Sequence, residues 1–134
     1  MTKKPILCLD FDGVIHSYAS GWRGATHIPD PPVPGALEFL SKAVHVFDVQ
    51  IHSSRSHWAG GISAMKAWLA HHAMTGAAGS IGVPEWLDLI GWPAEKPPAF
   101  VTLDDRAITF TGTWPDLDDL KNFKPWWSKL STVP

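Results

Sequence analysis

Pro5-Ile6-Leu7-Cys8-Leu9 is an unbroken apolar run that stops at Asp10-Phe11-Asp12-Gly13. A run of that length without polar alternation suits a strand buried on both faces, as in a parallel sheet. The turn that follows places two carboxylates at the strand's carboxyl end, and Gly13 lets the chain bend sharply away. Outward from this stretch, strands and helices alternate. Residues 35–43 carry Leu37, Leu40 and then Val44 at helical spacing. Residues 44–52 read as a strand through Val44, Val46, Phe47, Val49 and Ile51. Residues 61–72 make the clearest helix, with Ile62, Met65 and Leu69 on one face. Residues 84–90 read as a short helix, and 99–103 as a strand that runs into Asp104-Asp105. Residues 108–111 are expected to add a short strand. Residues 117–123 are expected to form a short helix whose acidic start complements the helix dipole. Such alternation predicts an α/β fold: a three-layer, Rossmann-like parallel sheet with helices on both faces.

The connecting segments are legible mainly by what they exclude. Residues 13–35 are rich in Gly, Ser, Pro and aromatics and hold no helical pattern, so an extended flap or hairpin is expected there. It ends in Pro29-Asp30-Pro31-Pro32-Val33-Pro34, a rigid approach to the next helix. Residues 75–82 form a small-residue loop, 91–98 another, and the tail 124–134 has no assignment beyond its Trp126-Trp127 pair.

The chain has 134 residues, which predicts one domain over 1–134 with a core that needs no disulfide. Its 11 basic and 13 acidic residues give a net charge of −2, against a protein that grips nucleic acid through bulk positive charge. The single cysteine, Cys8, excludes an intramolecular disulfide and a multi-cysteine zinc site. No apolar run approaches the roughly 18 residues of a membrane span. The stretch from Ile6 to Leu9 is too short for a signal-peptide core, so a cytoplasmic location is expected.

Three expected strand ends carry polar clusters: Asp10-Phe11-Asp12, Ser53-Ser54-Arg55 and Asp104-Asp105. Lys96 precedes the third. In a parallel sheet these ends share one edge, where ligands bind. Four carboxylates crowded there repel strongly, and a divalent cation relieves the repulsion. Magnesium fits, being a hard cation that takes oxygen ligands and shares its site with phosphate. A free oxygen of Asp10 is then a nucleophile for phosphorus. Ser53 or Ser54, Lys96 and Arg55 are the phosphate contacts, with Ser53 favoured because it ends the strand directly. Asp12 is placed to protonate the leaving oxygen and then to deprotonate water.

Asp10-Phe11-Asp12-Gly13-Val14 after an apolar strand resembles the first motif of the haloacid dehalogenase-like phosphatase superfamily. Ser53 resembles its second motif, Lys96 its third and Asp104-Asp105 its acidic fourth, all in the family's order between residues 6 and 105. The resemblance implies a small phosphatase without a large cap domain. It implies Asp10 as nucleophile, Asp12 as general acid/base, and magnesium held by Asp10, the Asp12 backbone carbonyl and Asp104, with Asp105 as a further candidate. Capless members often act on large substrates or borrow closure from a partner, and some act on small esters.

The substrate expected is a phosphomonoester: a phosphorylated small molecule, a nucleotide or a nucleic-acid end. His16 and Trp22, in the flap, are the candidate substrate contacts. Two other classes remain open. A response-regulator-like phosphoacceptor also clusters carboxylates, magnesium, a hydroxyl and a lysine, but places its acid pair on the first strand. A non-catalytic binding module of the same fold would use Trp126-Trp127 to dock a partner or a second copy. His71 and His72 point roughly 100° apart on a helix and cannot easily share an ion. Ser53-Ser54 also suits a helix cap.

Overall fold

The computed structural model describes residues 3–75 and 83–129. A three-stranded parallel sheet forms its centre. Strand β1 (Ile6–Leu9) lies between β2 (Asp48–Ile51) and β3 (Val101–Leu103). The apolar run thus becomes the middle strand, and Leu7, Cys8 and Leu9 are buried. Cys8 pairs in register with Gln50 on one side and Thr102 on the other. Backbone bonds extend the register past the strands: Asp10 N–H donates to the Leu103 carbonyl at 3.0 Å, and His52 N–H to the Leu9 carbonyl at 3.0 Å. The three strand ends are thereby locked side by side.

Helix α1 (Ala36–Ala43) follows β1, α2 (Gly61–Thr75) follows β2, and α3 (Leu117–Lys121) comes after β3. Short 3-10 helices occupy Ser54–His57, Glu85–Leu89 and Trp126–Lys129. The core gathers Leu7, Leu9, Phe11, Val49 and Ile51 from the sheet side, Leu40 and Val44 from the end of α1, and Met65, Trp68 and Leu69 from α2. The architecture is α/β with a small parallel sheet.

The segment between β1 and α1 is a hairpin-like flap pinned at its base. Ser17 N–H donates to the Pro31 carbonyl and Val33 N–H to the Ile15 carbonyl, bracketing an antiparallel bridge between His16 and Pro32. Trp68 of α2 reaches into it and donates its indole N–H to the Asp30 carbonyl at 3.1 Å.

Two expected strands are corrected. The strand predicted from residue 44 begins at Asp48, because residues 44–47 close α1. His45 and Val46 N–H donate to the Lys42 and Ala43 carbonyls, and Phe47 N–H also donates to Ala43. Val44 is buried as a helix-end residue, so its alternation with Val46 is not a strand signal. Residues 108–111 form no strand; Ile108 and Phe110 are exposed and have no sheet neighbour among the described residues. The expected loop at 75–82 lies outside the described residues except for Thr75, which ends α2, and 130–134 of the tail also lie outside them.

Candidate active site

The locked strand ends open onto a cleft of about 540 Å³. Cys8 and Thr102 line it from the sheet. Asp10, Asp12, Ser53, Ser54, Lys96, Asp104 and Asp105 stand around it with Tyr18, His52, His57 and Arg106. The sequence-predicted acids, serines and lysine therefore share one cavity.

At its centre Asp10, Asp104 and Asp105 each offer a carboxylate oxygen, and these oxygens all lie within 4.8 Å of one another. Asp10 accepts the Phe11 N–H at 2.8 Å. Burial, and then hydrogen bonding with the Asp105 carboxyl, push the Asp10 pKa up to about 8, reinforced by the charges of Asp104 and Asp105 and opposed by the Phe11 N–H. Asp104 is exposed and caps its own turn, accepting the Arg106 N–H at 2.8 Å. An all-oxygen group of this kind suits a hard divalent cation, whose charge would favour the ionised form of Asp10 that burial disfavours.

Asp12 lines the cleft, but its carboxylate belongs to a different network. Arg55 Nε donates to Asp12 Oδ2 at 2.9 Å and to Oδ1 at 3.1 Å. His16 Nε2 accepts the Asp30 N–H at 3.1 Å, so the ring hydrogen sits on Nδ1 and is donated to Asp12 Oδ1 at 2.9 Å. The carboxylate is thus held from two sides by fully buried side chains. Its side chain is not part of the three-acid group.

Arg55, expected at the phosphate, does not line the cleft. Its Nη1 donates to the Gly24, Ala25 and His27 carbonyls at 2.7, 3.1 and 3.2 Å, tying the flap to the strand end. His16, expected to touch substrate, is likewise buried, packed against Phe11 and Trp68. Trp22 lies over the Arg55 guanidinium, 4.8 Å from it to the ring centroid, and not on the cleft lining.

Ser53 both caps a turn and lines the cleft. Its Oγ accepts the Arg55 N–H at 3.1 Å as the cap of the Ser54–His57 turn, and the residue also lines the cleft. Ser56 completes a reciprocal capping box by accepting the Ser53 N–H at 3.1 Å. Ser54 and Lys96 are exposed on the lining. Burial, and then the neighbouring His57 and Lys96 charges, lower the His52 pKa, and burial raises that of Cys8.

The tail supplies residues that the sequence reading did not place. Trp126 Nε1 donates to the Gly13 carbonyl at 2.6 Å, and Trp127 Nε1 donates to Asp105 Oδ2. Trp127 also meets Tyr18 edge-to-face at 5.0 Å. Both indoles thus hydrogen-bond within the chain, while Trp126 keeps an exposed face. The only signal for this in the sequence is the pairing of two indoles behind Pro125, which does not say where they go.

The chain matches no protein-family model, no curated protein and no solved structure. No helix among the described residues is long and apolar enough to cross a membrane.

Proposed function

We propose that this chain is a magnesium-dependent phosphohydrolase that cleaves phosphomonoesters through an aspartyl-phosphate, on a haloacid dehalogenase-like fold without a large cap. One observation carries the reading: Asp10, Asp104 and Asp105 converge within 4.8 Å in the cleft that also holds Ser53, Ser54 and Lys96. A carboxylate nucleophile, a cation group and phosphate donors are what phosphoryl transfer to an aspartate requires.

Asp10, Asp104 and Asp105 would hold the cation, which neutralises carboxylate and phosphoryl charge. An Asp10 oxygen attacks phosphorus as the bond to the leaving oxygen breaks, and Asp12, which enters this step protonated, gives that oxygen its proton and becomes a carboxylate held by Arg55 and His16. Water then attacks the phosphoryl group, Asp12 takes the water's proton, and the Asp10–phosphorus bond breaks to release inorganic phosphate. Ser53, whose Oγ already accepts the Arg55 N–H, keeps its hydroxyl hydrogen for a phosphoryl oxygen. Lys96 supplies positive charge from the opposite segment. Arg55 and His16 orient Asp12 rather than touch substrate. The substrate class is a phosphorylated small molecule or a nucleotide, with a nucleic-acid end as the larger alternative.

Phosphate release from an aryl phosphate tests this, measured with magnesium and with chelator for wild type and Asp10→Asn. Release that needs both magnesium and Asp10 is expected. A long-lived phosphoenzyme without release would make the chain a phosphoacceptor. Release that persists in Asp10→Asn would remove Asp10 as nucleophile.

A further inference from the structure

We propose that Trp127 is a positioning residue of the acidic site: its indole N–H fixes the orientation of the Asp105 carboxylate toward Asp10 and thereby tightens cation binding. The inference rests on the phosphohydrolase reading and adds to it a residue from the far end of the chain.

The geometry is specific. Trp127 Nε1 donates to Asp105 Oδ2, and Asp105 offers a carboxylate oxygen within 4.8 Å of those of Asp10 and Asp104. The indole is seated on several sides. Tyr18 meets it at 5.0 Å and 89°, and the Arg106 guanidinium lies 5.5 Å from its ring centroid. Gly13 lies so close that a Cβ there would stand 2.7 Å from Trp127 Cδ1. The neighbouring Trp126 anchors the same turn by donating to the Gly13 carbonyl at 2.6 Å. The turn itself is closed by Ser128, whose N–H and Oγ donate to the Pro125 carbonyl at 3.1 and 2.8 Å.

The chemistry of the donor matters as much as its place. An indole N–H donates only and cannot compete as a ligand. It is also neutral, so it orients Asp105 without cancelling the negative charge that attracts a cation. An arginine in its place would do both. Groups that hydrogen-bond a ligating carboxylate set its orientation, and their loss typically weakens metal affinity by about ten-fold or more.

Calorimetric titration with magnesium tests the proposal on wild type, Trp127→Phe and the exposed control Trp114→Phe, each also unfolded by heat in chelator. Phe keeps the ring against Tyr18 and deletes the donor. A chain carrying benzothienylalanine at 127 replaces the N–H by sulfur at nearly unchanged shape, which covers any folding defect of Trp127→Phe. The expected result is cation binding about ten-fold weaker in both 127 variants. Trp114→Phe should bind as wild type does, and the benzothienylalanine chain should keep the wild-type unfolding midpoint in chelator. The magnesium concentration that half-activates phosphate release should rise in parallel. Wild-type affinity in the benzothienylalanine chain would overturn the role of Trp127 while leaving the phosphohydrolase reading intact. A wild-type chain that binds no magnesium would overturn both.

Discussion

Arg55 and Asp12, 43 residues apart in the chain, meet in a two-oxygen ion pair, with Arg55 Nε 2.9 Å from Oδ2 and 3.1 Å from Oδ1. The same guanidinium takes three flap carbonyls, so one buried cation ties Asp12, the flap and the end of β2 together.

Removing that cation takes a donor from three flap carbonyls and leaves the Asp12 carboxylate held by His16 alone. Arg55→Ala should therefore lose about 3–5 kcal/mol of stability in urea unfolding. Arg55→Lys should recover little of it, because an ammonium cannot spread over the same fork of acceptors. A loss below about 1 kcal/mol for Arg55→Ala would show the pair to be energetically idle.

His16→Phe keeps the ring packing on Phe11 and Trp68 but deletes both hydrogen bonds. The Asp30 N–H and an Asp12 oxygen then lose a partner, at a cost of about 1–3 kcal/mol for each group left buried. Thermal unfolding should show the loss, and phosphate release should fall as well because Asp12 is freed to turn. A stable variant with unchanged release would mean that water replaces both bonds.

The raised pKa of Asp10 predicts a pH-dependent stability for the cation-free protein. The folded state holds the Asp10 proton up to about pH 8, whereas the unfolded chain releases it near 3.8. This contribution is complete below about pH 4 and is lost as pH rises toward 8, an effect of a few kcal/mol in order of magnitude. In chelator, wild type should be less stable at pH 8 than at pH 5, and the difference should shrink in Asp10→Asn. Magnesium should bind more tightly as pH rises through the same window, because it displaces that proton. Parallel pH profiles for wild type and Asp10→Asn would contradict the shift.

Gly13 and Gly21 both adopt positive φ, at 81° and 72°. An added Cβ at Gly21 meets open space, whereas at Gly13 it runs into Asp105 and Trp127. Gly21→Ala should cost about 1 kcal/mol, from the backbone alone. Gly13→Ala should cost clearly more and should also weaken magnesium binding. Equal losses in urea unfolding would show that the crowding at Gly13 is relieved at no cost.

The acids and the sheet were legible because they are written locally. An apolar run followed by Asp10-Phe11-Asp12-Gly13 describes a buried strand and its end without reference to the rest of the chain. The same holds for Asp104-Asp105. What Arg55 does was not legible, since its acceptors are backbone carbonyls at Gly24, Ala25 and His27, and a carbonyl leaves no mark in the residue type. His16 was misplaced for a similar reason, because its partner is the Asp30 N–H. Val44 and Val46 mimicked a strand because a helix end can bury one residue and expose its second neighbour. Trp127 reaches Asp105 across 22 residues of chain that carry no pattern indicating the return.

The order β2-β1-β3 has a consequence for synthesis. β1 is made first and becomes the middle strand, so one edge of it has no partner until residue 48 emerges and the other none until residue 101. Both edges belong to the most apolar stretch of the sheet, and unpaired edges of that kind attract other chains. During synthesis the protein is thus most vulnerable to misassociation at the strand that leads into Asp10, and release from that hazard coincides with the arrival of Asp104 and Asp105 beside it.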